Sequence, residues 1–187
     1  MTEIVFFLEE PSAREMLLGI LPKLLPEHIS PRFVVFKGKQ DLEKRLPIRL
    51  RAWQHPNTLF IVMRDQDSGD CTVIKQGLVK KCIDSGKPDT LVRVACRELE
   101  SFYLGDLKAV SQAIGPANIE TLQNKAKFRT PDKLASPSQE LKKLAPPYQK
   151  VSGSRVIGPM LDLDNNKSKS FNALINGVRR LIGEAAW

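Results

Sequence analysis

Carboxylates carry most of the chemistry open to this chain, and they fall in three groups. "FLEEPSAREML", from Phe7 to Leu17, ends an apolar run on Glu9 and Glu10. "VMRDQDSGD" brings Asp65 and Asp67, and "RELESFYLGD" brings Glu98, Glu100 and Asp106. Crowded acids repel one another unless a cation joins them. Hard divalent ions such as Mg²⁺ (or Mn²⁺) take oxygen ligands, with one or two carboxylates completed by water and substrate phosphates. Two such ions about 3.5–4 Å apart can bracket a phosphodiester, activating water and stabilising the leaving oxygen. Other chemistries are short of parts. The two histidines, His28 and His55, sit in proline-flanked turns, which leaves little for a Ser-His-Asp triad or a histidine-rich metal site. "FKGKQD" lacks P-loop spacing. "DLDNNKSKSFNA" opens like a calcium loop but has Lys167 where glycine is needed and Ala173 where the final glutamate belongs.

The elements that must position these acids alternate. "EIVFFL" (Glu3 to Leu8), "RFVVF" (Arg32 to Phe36), "NTLFIVMRD" (Asn57 to Asp65) and "DTLVRVAC" (Asp89 to Cys96) read as strands. Helices are predicted between them: from Ser12, over Asp41 to Trp53 with Pro47 kinking or splitting it, and over Asp70 to Ser85. In the first helix Leu17, Leu18, Leu21, Leu24 and Leu25 fall on one face, and "SARE" (Ser12 to Glu15) fits a capping box that gives Glu15 a structural task. This alternation predicts an α/β fold, a mainly parallel sheet with helices on both faces. Ligands of such sheets bind beyond the carboxyl ends of the strands. Strands one, three and four each end on acids there, while the second ends in Lys37 and Lys39. Strand alternation would set Asp65 and Asp67 on one side.

After Gly105 short helical pieces lie among prolines. Residues 1–105 are therefore read as a βα core and 106–187 as a basic, loop-rich helical part of one domain. It ends in a helix in which Phe171, Leu174, Ile175, Val178, Leu181 and Ile182 keep helical spacing behind a cap at Ser168 or Ser170, and this helix is expected to pack back on the sheet.

Charge narrows the partners. The net charge is +8, with eight basic and two acidic residues from Asn124 to Arg155, and six basic against two acidic from Lys37 to Arg51. Lys37, Lys39, Lys142 and Lys143 are the candidate nucleic-acid contacts, binding phosphates without reading sequence. A lysine-rich face that merely meets solvent is the alternative. The apolar runs are too short to span a bilayer and nothing resembles a signal peptide, so no membrane partner and a cytoplasmic location are expected. Cys71, Cys82 and Cys96 lack close spacing and are read as reduced thiols.

The ordered set "FLEEPSAREML", "VMRDQD" and "RELESFYLGD", with "FKGKQDL" and the late "YQKVSGS", resembles Toprim-like domains across nearly the whole chain. It is similar to an uncharacterised bacterial family related to the nuclease part of OLD-family proteins (overcoming lysogenization defect), often encoded beside an ATPase. The resemblance implies Mg²⁺ held by Glu9, Asp65, Asp67 and Glu100, with Asp106 or Glu98 in support and Lys150 assisting phosphate chemistry. Glu9 would face the site and Glu10 solvent. It implies cleavage of nucleic-acid phosphodiesters, with an ATPase partner and phage defence as its setting. Ala13 stands where nuclease relatives usually have a second acid. That departure leaves room for a non-catalytic subunit binding nucleic acid or an ATPase, and the same acids could also hydrolyse a small phosphate ester.

Overall fold

A computed structural model of the protein describes residues 2–183. Among them, four strands form one sheet: β1 (Thr2–Leu8), β2 (Ile29–Val35), β3 (Thr58–Asp65) and β4 (Leu91–Ala95), in the order β2-β1-β3-β4. Every pairing is parallel, with Leu8 opposite Val35 and Met63, and Asp65 opposite Ala95. The α/β class and parallel sheet are as the alternating pattern predicts, an arrangement consistent with a Toprim-like α/β fold. Pro31 is tolerated because β2 is an edge strand.

Side chains alternate across β1 with period two, so its apolar run serves two cores. Ile4, Phe6 and Leu8 join one cluster. Val5 and Phe7 join the other, with Phe36, Phe60 and Val62. The second cluster is closed by the helix over Lys39–Ala52, whose Leu42, Leu46 and Leu50 are fully buried, and by Leu78 and Cys82 of the next helix.

Helix α1 (Pro11–Ile20) departs in detail from its expected form. Its N-cap is Glu10 and Pro11 takes the first turn, a position where proline's missing N–H costs nothing. The capping box read from Ser12 and Glu15 does not form. Ser12 instead donates to Glu10 Oε1 at 2.5 Å, and Glu15 pairs with Arg14 and with Arg155. The leucine face is also broken: α1 gives way at Leu21 to a 3₁₀ turn, and Leu18 is exposed. Helix α2 (Lys39–Ala52) runs through Pro47 without splitting. An interior proline costs about 3 kcal/mol, whereas burying each leucine of its inward stripe contributes roughly 1.5–3 kcal/mol. The stripe wins. Helix α3 (Cys71–Ile83) is capped by Asp70, which accepts from Val73 N–H.

Beyond β4 the chain forms α4 (Glu100–Leu104), α5 (Leu107–Ala113), α6 (Ala126–Arg129), α7 (Pro137–Leu144) and α8 (Lys150–Ile157). These share the apolar cluster of β1 and α1 rather than building a core of their own. Helix α8 and the turn after it lie against α1 so closely that a Cβ on Gly19 would stand 2.4 Å from Pro159 N. Lys23 ties the same contact by donating to the carbonyls of Pro159 and Leu161. Helix α9 (Lys169–Leu181) takes Ser168 as its cap, Ser168 Oγ accepting from Phe171 N–H, and packs on β4, where Arg93 donates to Ala173 O. Among the described residues, no helix is long and apolar enough to cross a membrane.

Candidate acidic site at the sheet edge

Glu9 follows β1 directly, and β1 lies beside β3, so parallel register carries Glu9 to the end of β3. There Glu9 Oε2 accepts the Asp65 backbone N–H at 3.0 Å. Burial pushes the Glu9 carboxyl above its ordinary range, while the Asp65 N–H and Arg64 oppose the rise. Asp65 itself is 8% exposed. Burial raises its carboxyl well above the usual value, and repulsion from Glu10, Glu100 and Glu9 adds to the effect, with Lys150 opposing. No described residue donates a hydrogen bond to that carboxylate. The end of β1 and the starts of two later helices, carrying Glu100 and Lys150, thus bear on one buried acid at the end of β3.

Glu10 is only partly open to solvent, its side chain 25% exposed. Its carboxylate accepts from Ser12 and from Lys150 Nζ at 2.6 Å, joining the start of α1 to the start of α8. Lys150 thereby stands beside the acids of the sheet edge. Burial works against its charge, but Glu10, Glu100 and Asp65 together hold the ammonium above the ordinary lysine range. Glu100 lies in the first turn of α4 with 0% exposure. Tyr148 donates to its Oε1 at 2.8 Å, and its Oε2 has no partner. Burial raises the Glu100 carboxyl despite the Tyr148 hydrogen bond and the attraction of Lys150.

The remaining predicted acids are placed differently. β3 ends at Asp65, and Asp67 sits in the left-handed region with φ 55°, so alternation no longer relates the two. The Asp67 carboxylate pairs with Lys39 at 2.7 Å and lies 3.9 Å from Arg64. Glu98 accepts the Ser138 N–H at the start of α7. Asp106 caps α5 through Ala109 N–H and also accepts from Asp162 N–H, which occupies both carboxylate oxygens with backbone structure. Among the described residues, no three His, Cys, Asp or Glu side chains form a group that could hold a metal ion.

Of the predicted basic contacts, Lys37 is exposed, whereas Lys39 serves as counter-ion to Asp67, whose hydrogen bond raises its ammonium. Lys142 donates to Tyr148 O at 2.7 Å, and Lys143, 70% exposed, reaches Glu140 at 3.3 Å. Both line a cleft of about 590 Å³ with Glu100, Tyr148, Gln149 and Lys150. The sequence reading missed Arg64. This buried arginine donates from Nε to Asp65 O at 2.9 Å, pairs with Glu43, and stands 3.9 Å from Glu9. A charge inside an otherwise apolar strand, one residue before an acid pair, was the available signal.

A family model described as Domain of unknown function (DUF4276) matches residues 8–179. The chain belongs to this family. No curated protein and no solved structure matches it. The family region runs from the last residue of β1 into α9, so Glu9, Asp65, Glu100 and Lys150 all lie inside it.

Proposed function

We propose that the acidic edge is the site of a Mg²⁺-dependent (or Mn²⁺-dependent) nuclease of Toprim/OLD-like type. One observation carries the reading: Asp65 is a buried carboxylate without a donor, raised first by burial and further by three neighbouring acids. Such a group gains from a hard cation, and its neighbours offer only oxygen, which fits Mg²⁺. Glu9 and Asp65 would hold the ion, with Glu10 and Glu100 at its margin, since one or two carboxylates suffice when water and phosphate complete the shell. The ion, when bound, would polarise a phosphodiester and a water molecule. Arg64 fixes the peptide of Asp65 and so the aim of its carboxylate. Lys150 can release Glu10 for a phosphate oxygen, because their pair is partly open to solvent.

The test is plasmid or oligonucleotide cleavage in Mg²⁺ or Mn²⁺, with and without chelator. Asp65→Asn should lower the rate at least a hundredfold, on the order of losing a preorganised transition-state contact, while leaving binding in chelator intact. Cleavage that survives Asp65→Asn overturns the assignment.

Two observations favour a second reading, a non-catalytic subunit that binds nucleic acid or a partner ATPase. Asp67 is neutralised by Lys39, and Ala13, where the Toprim-like resemblance leads one to expect a second acid, is 5% exposed in the core. Binding without cleavage under every metal condition would select this reading. An ATPase partner and a role in phage defence extend the proposal through the resemblance; co-purification of an ATPase with the tagged chain tests the first, and phage plating on cells with and without the chain tests the second.

A further inference from the structure

We infer that the cleft between α7 and the start of α8 receives an unpaired nucleotide, so that the substrate is single-stranded nucleic acid. This rests on the phosphodiester reading of the adjoining acidic edge, with which the cleft shares Glu100 and Lys150.

The floor of the cleft decides what it can hold. Glu100 is fully buried, its Oε1 is taken by Tyr148, and its Oε2 has no donor. A buried acceptor left unpaired is costly, the more so when it is charged. A phosphodiester cannot relieve that cost because it carries no N–H or O–H. Within a duplex the imino N–H and one N–H of each paired amino group are committed to the partner strand, and the amino N–H groups left over point into the grooves of a stacked helix that cannot enter the cleft. An unpaired base, by contrast, offers free N–H groups to an acceptor in a recess, as enzymes acting on extruded bases exploit.

The walls supply the complementary parts. Gln139 and Gln149 line the cleft and are exposed, and each amide can both donate to and accept from a base edge. Lys142 and Lys143 stand on α7 and Lys150 opens α8. Lys142 keeps N–H groups beyond the one given to Tyr148 O, and Lys143 is largely exposed, so both can meet the phosphates flanking the base. The cleft is broad and open to solvent, and its volume of about 590 Å³ leaves room for one base laid against its floor. A rigid duplex would touch the lysines at the rim and leave the floor empty.

The experiment uses the full chain in chelator, so that binding is read without cleavage and a failure here is separable from a failure of the nuclease reading. Fluorescence anisotropy compares a labelled mixed-sequence single strand, its duplex, and the same strand made abasic. The single strand should bind at least tenfold more tightly than either. Lys143→Glu, an exposed change, should weaken all three, whereas Gln139→Ala with Gln149→Ala should weaken only the base-bearing single strand. Equal affinity for duplex and single strand, equal affinity for the abasic strand, or no loss in the glutamine variant overturns the inference.

Discussion

At the scale of single residues, the acids of the sheet edge store a pH response whose sign is set. Asp65, Glu9 and Glu100 all have carboxyls raised above their unfolded values, burial being the leading cause in each. Below the ordinary carboxylate range both folded and unfolded states are protonated, and these groups cost nothing. As pH climbs past it the unfolded chain releases protons first, so the contribution to stability falls until the folded carboxyls also ionise. Asp65→Asn should therefore raise the melting temperature at neutral pH, by about 2–4 °C per kcal/mol relieved, and the gain should shrink toward pH 4. A gain independent of pH would contradict this account. Mn²⁺ should raise the melting temperature of the native chain at pH 7 more than at pH 5, and Asp65→Asn should abolish the difference. Tyr148→Phe leaves both oxygens of Glu100 without a donor and should cost about 1–3 kcal/mol in urea unfolding. The meeting of Glu9 with Asp65 was legible in advance because both follow from strand ends and parallel pairing. Glu98 and Asp106 were not separable from them. An acid that holds backbone N–H groups and an acid left without a donor are the same side chain in a sequence, and only the position of Ser138 or Asp162 distinguishes them.

At the scale of elements, the close crossing of α1 over the end of α8 fixes the site from behind. Helix α1 starts at Glu10 and α8 starts at Lys150, so their packing sets the distance between the two partners. Gly19→Ala puts a methyl carbon against the Pro159 backbone, which cannot rotate away. Overpacking of this kind costs about 1–3 kcal/mol. It should also push α8 outward, seen as a weaker effect of Lys150→Met on cleavage in the Gly19→Ala background than in the native one. The strands and the main helices were readable from period and composition. That the helix would run unbroken through Pro47 was not legible, because the local cost is visible in the sequence whereas the inward stripe of Leu42, Leu46 and Leu50 acts only once the sheet is in place. The left-handed turn at Asp67 is likewise decided by a distant contact, its N–H donating to Arg97 O.

At the scale of the whole molecule, the net charge of +8 coexists with an edge where acids gather. A polyanion is therefore attracted overall but repelled locally unless a cation intervenes. Nucleic-acid affinity should fall with salt, and for single strands each phosphate contact contributes roughly −0.7 to the slope of log K against log salt. Neutralising Lys142 and Lys143 together should flatten that slope by about 1.4 if each meets one phosphate. A small-ester hydrolase would show no such change. The order in which the layers close is also written in the connectivity. Helix α9 covers the face bearing Ala95, Leu99 and Phe102 with Phe171, Leu174 and Ile175, and it is translated after every other element of that layer. A nascent chain leaving the ribosome must hold this face open until residues near 181 emerge. Premature stop codons upstream of Lys169 should accordingly yield chaperone-bound or aggregated product rather than a shortened, working one.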